Sequence, residues 1–305
     1  MSMRSQFTLV VLIAAAAAAA CEVASEEQPP APTAQERAAT QSAIRVHDEP
    51  EDSLIFERTM AHVRENGLDT LAVGPLTAAI VREFVGAPYT PGLLEVPPDE
   101  GLVVNLREFD CVTYVEQMLA LARTARSPTQ TYAAFRDQLR RIRYRGGELS
   151  GYPSRLHYFS DWIADNDAKG IVENVTRSLG GVQDTTPIRF MTGHVEAYRQ
   201  LADTVNLEAI RQREQELDAI PRYYVPEQDI AAIAGQIETG DVIAATSTQP
   251  GLDIAHTGLA LWIDGRLHLM HAPLVGRSVE ISELPLAERI IDIEGQDGIM
   301  VARPR

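Results

Sequence analysis

Residues 256–271 read HTGLALWIDGRLHLMH, and this segment carries the strongest signal of the fold class. Apolar and polar residues alternate on both sides of Asp264-Gly265, a dipeptide typical of a two-residue β-hairpin turn. Residues 241–245 form a further predicted strand just upstream. The chain after Gly240 is therefore predicted to build an antiparallel sheet.

The predicted hairpin brings two histidines together. If Ile263 faces Arg266, counting outward places His256 and His271 on one face of the sheet as diagonal neighbours, within about 7 Å of each other. His268 falls on the other face and is predicted to be structural. A one-residue bulge would exchange the roles of His268 and His271.

A second chemical feature lies upstream, where Cys111 follows Asp110 at the start of a helical pattern. The apolar positions of this pattern are Val112, Val115, Met118, Leu119 and Ala122. Asp110 is the predicted N-cap. The free N–H groups of the first turn are expected to lower the pKa of the thiol from its ordinary value of about 8.5 and to hold an oxyanion. The alternative is that Cys111 is a small buried core residue.

These residues together predict acyl transfer. Cys111 is the candidate nucleophile, His256 the general base, and His271 the residue that orients the base. A metal site formed by His256, His268 and His271 is an alternative, weakened by their split across two sheet faces. No cofactor is expected.

Composition and charge narrow the class of protein. The chain has 305 residues, of which 45% are hydrophobic and 23% charged, as in a globular protein. Its net charge of -16 argues against a nucleic-acid partner, since phosphate binding needs clustered cations. Cys21 and Cys111, the two cysteines, cannot form a disulfide-rich scaffold.

The N-terminus predicts export. Residues 1–20 carry Arg4 and then an apolar run that is too short to span a bilayer but typical of a signal peptide. Its small residues end at Cys21, as at a lipoprotein processing site, so lipidation of Cys21 is expected, with the protein either in the periplasm or anchored to the outer membrane. Ala18 departs from the leucine usual there, and ordinary signal cleavage is the alternative. Residues 21–51 are acidic and proline-rich and predict a disordered tether.

Residues 52–305 are predicted to form the folded domain. Its first helix is expected near Leu54, with a stop at Gly67, and its second from Leu76 to Val85. Residues 127–235 are mixed and mostly polar, and they predict a large, mostly helical insertion.

Several spaced blocks resemble the NlpC/P60 cysteine peptidase superfamily and, more narrowly, its DUF1460 branch, an N-acetylmuramoyl-L-alanine amidase-like family. They are Gly86-Ala-Pro-Tyr89, Phe109-Asp-Cys-Val-Thr-Tyr-Val-Glu116, Tyr152 to Trp162, Gly240-Asp-Val-Ile243, and Gly251-Leu-Asp-Ile-Ala-His256 continuing to His271. The resemblance implies an α+β class and a permuted papain-like fold, with a helix bearing the cysteine packed on an antiparallel sheet bearing the histidines.

The resemblance also implies an activity. The family cleaves amide bonds in peptidoglycan fragments, here between N-acetylmuramic acid, or its anhydro form, and L-alanine. By position, Cys111 is the nucleophile, His256 the base and His271 the third polar residue, while Tyr89 assists the Cys111 backbone N–H at the oxyanion. The distance from His256 to His271 exceeds the usual spacing of the superfamily, under which His268 would be the third residue.

Substrate contacts are predicted in the block from Tyr152 to Trp162. Arg155 could pair with a muropeptide carboxylate and Tyr158 could stack on a sugar ring. The alternative is that Tyr158 and Trp162 form one core-facing helix side and that Arg155 pairs with a structural acid.

Two other functions stay open at this point. A related branch of the superfamily would cut inside the stem peptide as an endopeptidase. A non-catalytic, cell-wall-binding lipoprotein would keep the fold without turnover, but it would have no need of a cysteine at a helix tip.

Overall fold

A computed structural model describes residues 44–95, 99–274 and 278–305. The predicted signal segment, Cys21 and the tether as far as residue 43 lie outside the described residues. The folded unit begins at Ile44, earlier than the predicted start at residue 52. Strand β1 (Val46–His47) pairs in parallel with β2 (Leu102–Val103), and two residues are too few to leave a periodic signal in the sequence.

The described α-helices follow in chain order. They are α1 (Pro50–Glu65), α2 (Val73–Val81), α3 (Cys111–Ala125), α4 (Tyr132–Arg143), α5 (Phe159–Ala168), α6 (Phe190–Gly193), α7 (Thr204–Asp218), α8 (Glu227–Ile233) and α9 (Leu286–Asp292). The predicted first helix is confirmed, and its stop at Gly67 has the left-handed conformation (φ 62°) that glycine adopts without strain.

The remaining strands build one antiparallel sheet. They are β3 (Val172–Asn174), β4 (Val182–Asp184), β5 (Arg222–Pro226), β6 (Val242–Ser247), β7 (Ile254–Ile263), β8 (Arg266–His271), β9 (Glu280–Ile281) and β10 (Gln296–Pro304). Their order is β4-β5-β10-β6-β7-β8-β9, and β3 also pairs with β10. The mixed helix-and-sheet class predicted from the sequence is therefore confirmed.

The hairpin of β7 and β8 has the predicted register. Ile263 faces Arg266, and Leu261 faces His268. Asp264 (φ 48°) and Gly265 (φ 77°) both have positive φ angles, as a two-residue hairpin turn requires. The turn chemistry thus fixes which side chains share each face of the two strands.

The two faces of the sheet pack against different helices. Leu259 and Met270 belong to the core cluster that contains α3, and both side chains are fully buried. Ala260 and Leu269 instead join the cluster under α8 and α9. Truncation of a buried leucine at either face would destabilise the fold by about 2–5 kcal/mol.

Residues 127–235, predicted as an insertion, contribute in part to the main core and to the sheet. Helix α4 packs in the same core cluster as α3, while β3 and β5 pair with β10. Glu116 of α3 and Arg143 of α4 form a buried ion pair at 2.6 Å. A smaller core lies within the segment and comprises Tyr152, Tyr158, Ile188, Met191, Leu201, Ile210 and Leu217. Among the described residues, no helix combines the length and apolar character needed to cross a bilayer.

Candidate active site

Helix α3 begins as the sequence predicts. The Asp110 carboxylate accepts hydrogen bonds from the backbone N–H groups of Val112 (3.0 Å) and Thr113 (2.7 Å). The Thr113 hydroxyl in turn accepts from the Asp110 N–H at 2.9 Å, which completes a capping box. Cys111 is therefore the first residue of the helix, and the residue as a whole is half-buried.

Cys111 is tied to the strand that carries His256. The hydroxyl of Thr257, the next residue of β7, donates a hydrogen bond to the Cys111 carbonyl oxygen at 2.7 Å. Thr257 is buried, so this contact holds the tip of α3 against the start of the strand without competition from water. Sequence reasoning did not select Thr257, although it follows His256 directly.

Tyr89 lies beside the same helix tip. Its backbone forms a parallel bridge with Phe109, and the Phe109 N–H donates to the Pro88 carbonyl at 3.0 Å. Burial, followed by the nearby Cys111 and Asp110 groups, raises the pKa of Tyr89 to about 12. The phenol is thus an O–H donor at neutral pH, close to the thiol.

The electrostatics of the thiol differ from the sequence-based expectation. Burial raises the pKa of Cys111 to about 11, and the Asp110 carboxylate adds to the effect. Hydrogen bonds from Thr257 and from the Cys111 backbone N–H lower the pKa only in part. The prediction that the helix N-terminus lowers this pKa is therefore wrong, because desolvation and the capping carboxylate outweigh the backbone dipoles.

The predicted pairing of His256 and His271 is present. Nε2 of His256 lies 2.8 Å from Nδ1 of His271, and the rings are nearly perpendicular at 85°. His271 is fully buried, whereas His256 is half-buried. Burial, followed by the charge of Arg289, lowers the pKa of His256 to about 3. Both imidazoles are neutral at pH 7, and Nδ1 of His256 is left for proton transfer.

The sheet geometry explains why these two histidines meet. A side chain at Gly258 would lie 2.9 Å from Cβ of His271, so glycine leaves room for the imidazole on the face toward α9. His256 lies two residues before Gly258, at the start of β7, and its neighbour Thr257 contacts the Cys111 carbonyl oxygen. The start of β7 therefore positions both the base of the imidazole pair and the tip of the cysteine helix.

His268 is occupied elsewhere. Its Nδ1 lies 2.8 Å from the carbonyl oxygen of Ser282, and by alternation it faces away from His271. In the ranges that the structure describes, no three His, Cys, Asp or Glu side chains gather as metal ligands. The three histidines of the metal alternative are thus not brought together.

Arg155 and Tyr158 lie in buried networks. The Arg155 guanidinium bonds the Leu94 carbonyl at 2.7 Å and Glu95 at 2.6 Å, with 4% of its side chain exposed. The Tyr158 hydroxyl donates to Glu214 at 2.7 Å and accepts from the Met191 N–H. These contacts match the alternative in which both residues are structural. Substrate contact by either residue stays a prediction, and the proposed mechanism does not depend on it.

One buried carboxylate that the sequence reasoning missed connects this segment to the site. Asp253 accepts hydrogen bonds from the N–H groups of Ser160 (2.7 Å) and Ile254 (2.8 Å). It therefore joins the first turn of α5 to the strand that carries His256. Its place three residues before His256, within a block that supported the family resemblance, is the signal that could have singled it out.

Comparisons with known proteins identify the family of this chain. A family model described as N-acetylmuramoyl-L-alanine amidase-like matches residues 79–296. The chain belongs to this amidase-like family. The matched range of the amidase-like chain includes Tyr89, Cys111, His256 and His271. No curated protein matches it significantly.

Solved structures resemble this amidase-like protein over most of its length. An N-acetylmuramoyl-L-alanine amidase from Bacteroides uniformis is 35% identical with a TM-score of 0.73, covering 76% of this chain and 99% of that chain. A Bacteroides fragilis protein provisionally described as a xylanase is 35% identical (TM-score 0.70; coverage 74% and 99%). A Legionella pneumophila protein assigned to DUF1460 is 22% identical (TM-score 0.60; coverage 83% and 96%), which supports the fold alone.

Proposed function

We propose that this protein is a cysteine-dependent amidase of peptidoglycan fragments. It hydrolyses the bond between the lactyl carbonyl of N-acetylmuramic acid, including the anhydro form, and the nitrogen of L-alanine. The observation that carries the proposal is the 2.8 Å contact between His256 and His271. His256 is followed on β7 by Thr257, whose hydroxyl donates a hydrogen bond to the Cys111 carbonyl oxygen. Membership of the amidase-like family supports the choice of bond.

The mechanism starts from a neutral thiol and a neutral imidazole. Because the thiol pKa is about 11 and the His256 pKa about 3, a stable thiolate–imidazolium pair is disfavoured at neutral pH. Cys111 instead attacks the carbonyl carbon as its proton passes to Nδ1 of His256. The Nε2–H of His256 donates to His271, which orients the base throughout the transfer.

The tetrahedral intermediate then collapses to an amine and a thioester. Its oxyanion accepts hydrogen bonds from the Cys111 backbone N–H and the Tyr89 hydroxyl, which the raised pKa keeps protonated. The C–N bond breaks as His256 returns its proton to the alanine nitrogen, leaving a muramoyl thioester on Cys111. Water, deprotonated by His256, hydrolyses the thioester and restores the thiol.

The chemistry of these side chains favours an amidase over a glycosidase. Glycoside hydrolysis in most families uses two carboxylates that flank the scissile bond. The groups proposed here are a thiol, two imidazoles and a phenol. Asp110, the carboxylate next to Cys111, is engaged as the helix cap. We therefore attribute the similarity to the Bacteroides fragilis protein, provisionally described as a xylanase, to a shared fold and not to a shared activity.

We propose the NlpC/P60 superfamily and its permuted papain-like fold as the wider relationship. The cysteine at the first residue of α3, which packs in the core on one face of the sheet, supports this assignment. So does the presence of both histidines on the hairpin that follows later in the chain.

We also propose export and lipidation at Cys21. The apolar run that ends at this cysteine supports export, and the acidic, proline-rich segment after it suits a tether. Labelling with a radioactive fatty acid tests the proposal in a Gram-negative host. The native chain is expected to take up label and Cys21→Ser to lose it, whereas an unlabelled native chain would indicate plain secretion.

Defined muropeptides test the proposed reaction. The native enzyme is incubated with anhydro-N-acetylmuramyl peptides, and the fragment masses identify the severed bond. Free anhydro-N-acetylmuramic acid and an intact peptide beginning with L-alanine are expected. Cys111→Ala is expected to abolish turnover, and Cys21→Ser, the matched control, to retain it. Cleavage within the stem would indicate an endopeptidase, and binding without cleavage a cell-wall-binding protein.

A further inference from the structure

The imidazole pair ends at a buried nitrogen that has no hydrogen-bond partner among the described residues. Nδ1 of His271 contacts His256, but Nε2 of His271 is enclosed and unpaired. The Oε1 atom of Glu280 lies 3.8 Å from this Nε2. That separation is just beyond hydrogen-bond range, so a small rotation of the Glu280 side chain would close it.

The backbone holds Glu280 in this place. Glu280 begins β9 and is the direct cross-strand partner of His271 on β8. The preceding residue, Val279, exchanges two backbone hydrogen bonds of 2.8 Å with Gly86 and Ala87, in the loop that leads to Tyr89. Glu280 is therefore fixed to both the histidine strand and the loop of the proposed oxyanion donor.

Proton counting along the pair shows what this carboxylate can do. For His256 to accept the thiol proton at Nδ1, its own proton must lie on Nε2 and be donated to His271. Nδ1 of His271 must then be an acceptor, which places the His271 proton on Nε2. The Glu280 carboxylate lies 3.8 Å from that nitrogen, and because a carboxylate only accepts hydrogen bonds, it favours this tautomer over the other.

Charges from two elements face the pair. On β7 and β8 the two imidazoles face each other, on β9 the Glu280 carboxylate is negative, and on α9 the Arg289 guanidinium is positive. Arg289 disfavours the imidazolium that forms during proton transfer. Glu280 opposes that effect, because a nearby negative charge stabilises a positive imidazole.

We propose that Glu280 is a positioning residue that accepts a hydrogen bond from Nε2–H of His271 and thereby fixes the proton pattern of the His256–His271 pair. This inference rests on the proposed cysteine amidase function. It extends the chain of groups to four: the thiol, two imidazoles and a carboxylate that is 45% exposed at the far end.

Two variants and a matched control test this role. Glu280→Ala removes both the acceptor and the charge, Glu280→Gln keeps an acceptor oxygen without the charge, and Glu283→Gln changes an exposed glutamate just after β9. We expect Glu280→Ala to lower kcat about tenfold with KM unchanged, less than the about 10²- to 10⁴-fold range for loss of a base itself. Glu280→Gln should recover most of the rate.

The pH profile separates positioning from a merely structural role. Without the Glu280 charge the imidazole protonates at lower pH, so the acidic limb of kcat/KM is expected to move to lower pH in both Glu280 variants and not in Glu283→Gln. Native kcat and an unshifted acidic limb in Glu280→Ala would overturn the inference. Cys111→Ala is assayed in parallel: if it keeps full activity, the proposed function itself fails.

Discussion

Replacement of His271 should slow the chemical step far more than it weakens substrate binding. His271 contacts the base and not the thiol, so its hydrogen bond matters most when His256 carries the extra proton. A neutral hydrogen bond contributes about 1 kcal/mol and one to a charged group about 2–3 kcal/mol. The difference of about 1–2 kcal/mol exists only in the transition state and corresponds to about 5- to 30-fold in kcat.

Steady-state kinetics of three variants measure this effect. His271→Ala is expected to lose this factor in kcat with KM unchanged, and His271→Asn, whose amide oxygen can accept from His256, to lose less. His268→Asn is the matched control, since it lies on the same strand but bonds the Ser282 carbonyl. A larger loss of kcat in His268→Asn than in His271→Ala would refute the assignment of the third residue.

Three further predictions concern the helix tip, the thiol and the buried imidazoles. Thr257→Val keeps the side-chain shape but removes a hydrogen bond of about 1 kcal/mol to Cys111, so kcat should fall about fivefold; an unchanged initial rate would contradict this role. In a Cys21→Ser background, alkylation of Cys111 by iodoacetamide should be slow at pH 7 and accelerate up to its pKa of about 11, whereas a rate that levels off below pH 8 would indicate an activated thiolate. The free energy of unfolding should decrease as the pH falls from about 6.5 toward 3, because the unfolded histidines take up protons that the folded ones do not. Urea titrations at several pH values check this, and a slope as steep in His271→Asn as in the native chain would exclude a contribution from His271.

The sequence was most informative where a local rule fixes the geometry. The Asp264-Gly265 turn sets the register of β7 and β8, and that register alone places His256 and His271 on one face. Likewise, Asp110 is the N-cap residue, and its identity predicts that α3 starts at Cys111. Both rules depend on a few neighbouring residues, which is why they could be applied without tertiary information.

Long-range contacts lay beyond such rules. The pairing of β10 with β3, β5 and β6 joins distant parts of the chain, so the segment predicted as an insertion becomes part of the sheet. Arg155 shows the same limitation, because its acidic partner Glu95 is separated from it by sixty positions. The thiol pKa depends on how completely Cys111 is desolvated, and a helix position alone does not reveal this.

Detection of an acyl-enzyme is the sharpest test of nucleophilic catalysis by Cys111. The enzyme is mixed with an N-acetylmuramyl peptide, quenched in acid during turnover and analysed by intact-protein mass spectrometry with peptide mapping. We expect a muramoyl group, without the stem peptide, joined as a thioester to Cys111. Turnover with no adduct on Cys111, together with undiminished activity of Cys111→Ala, would contradict it.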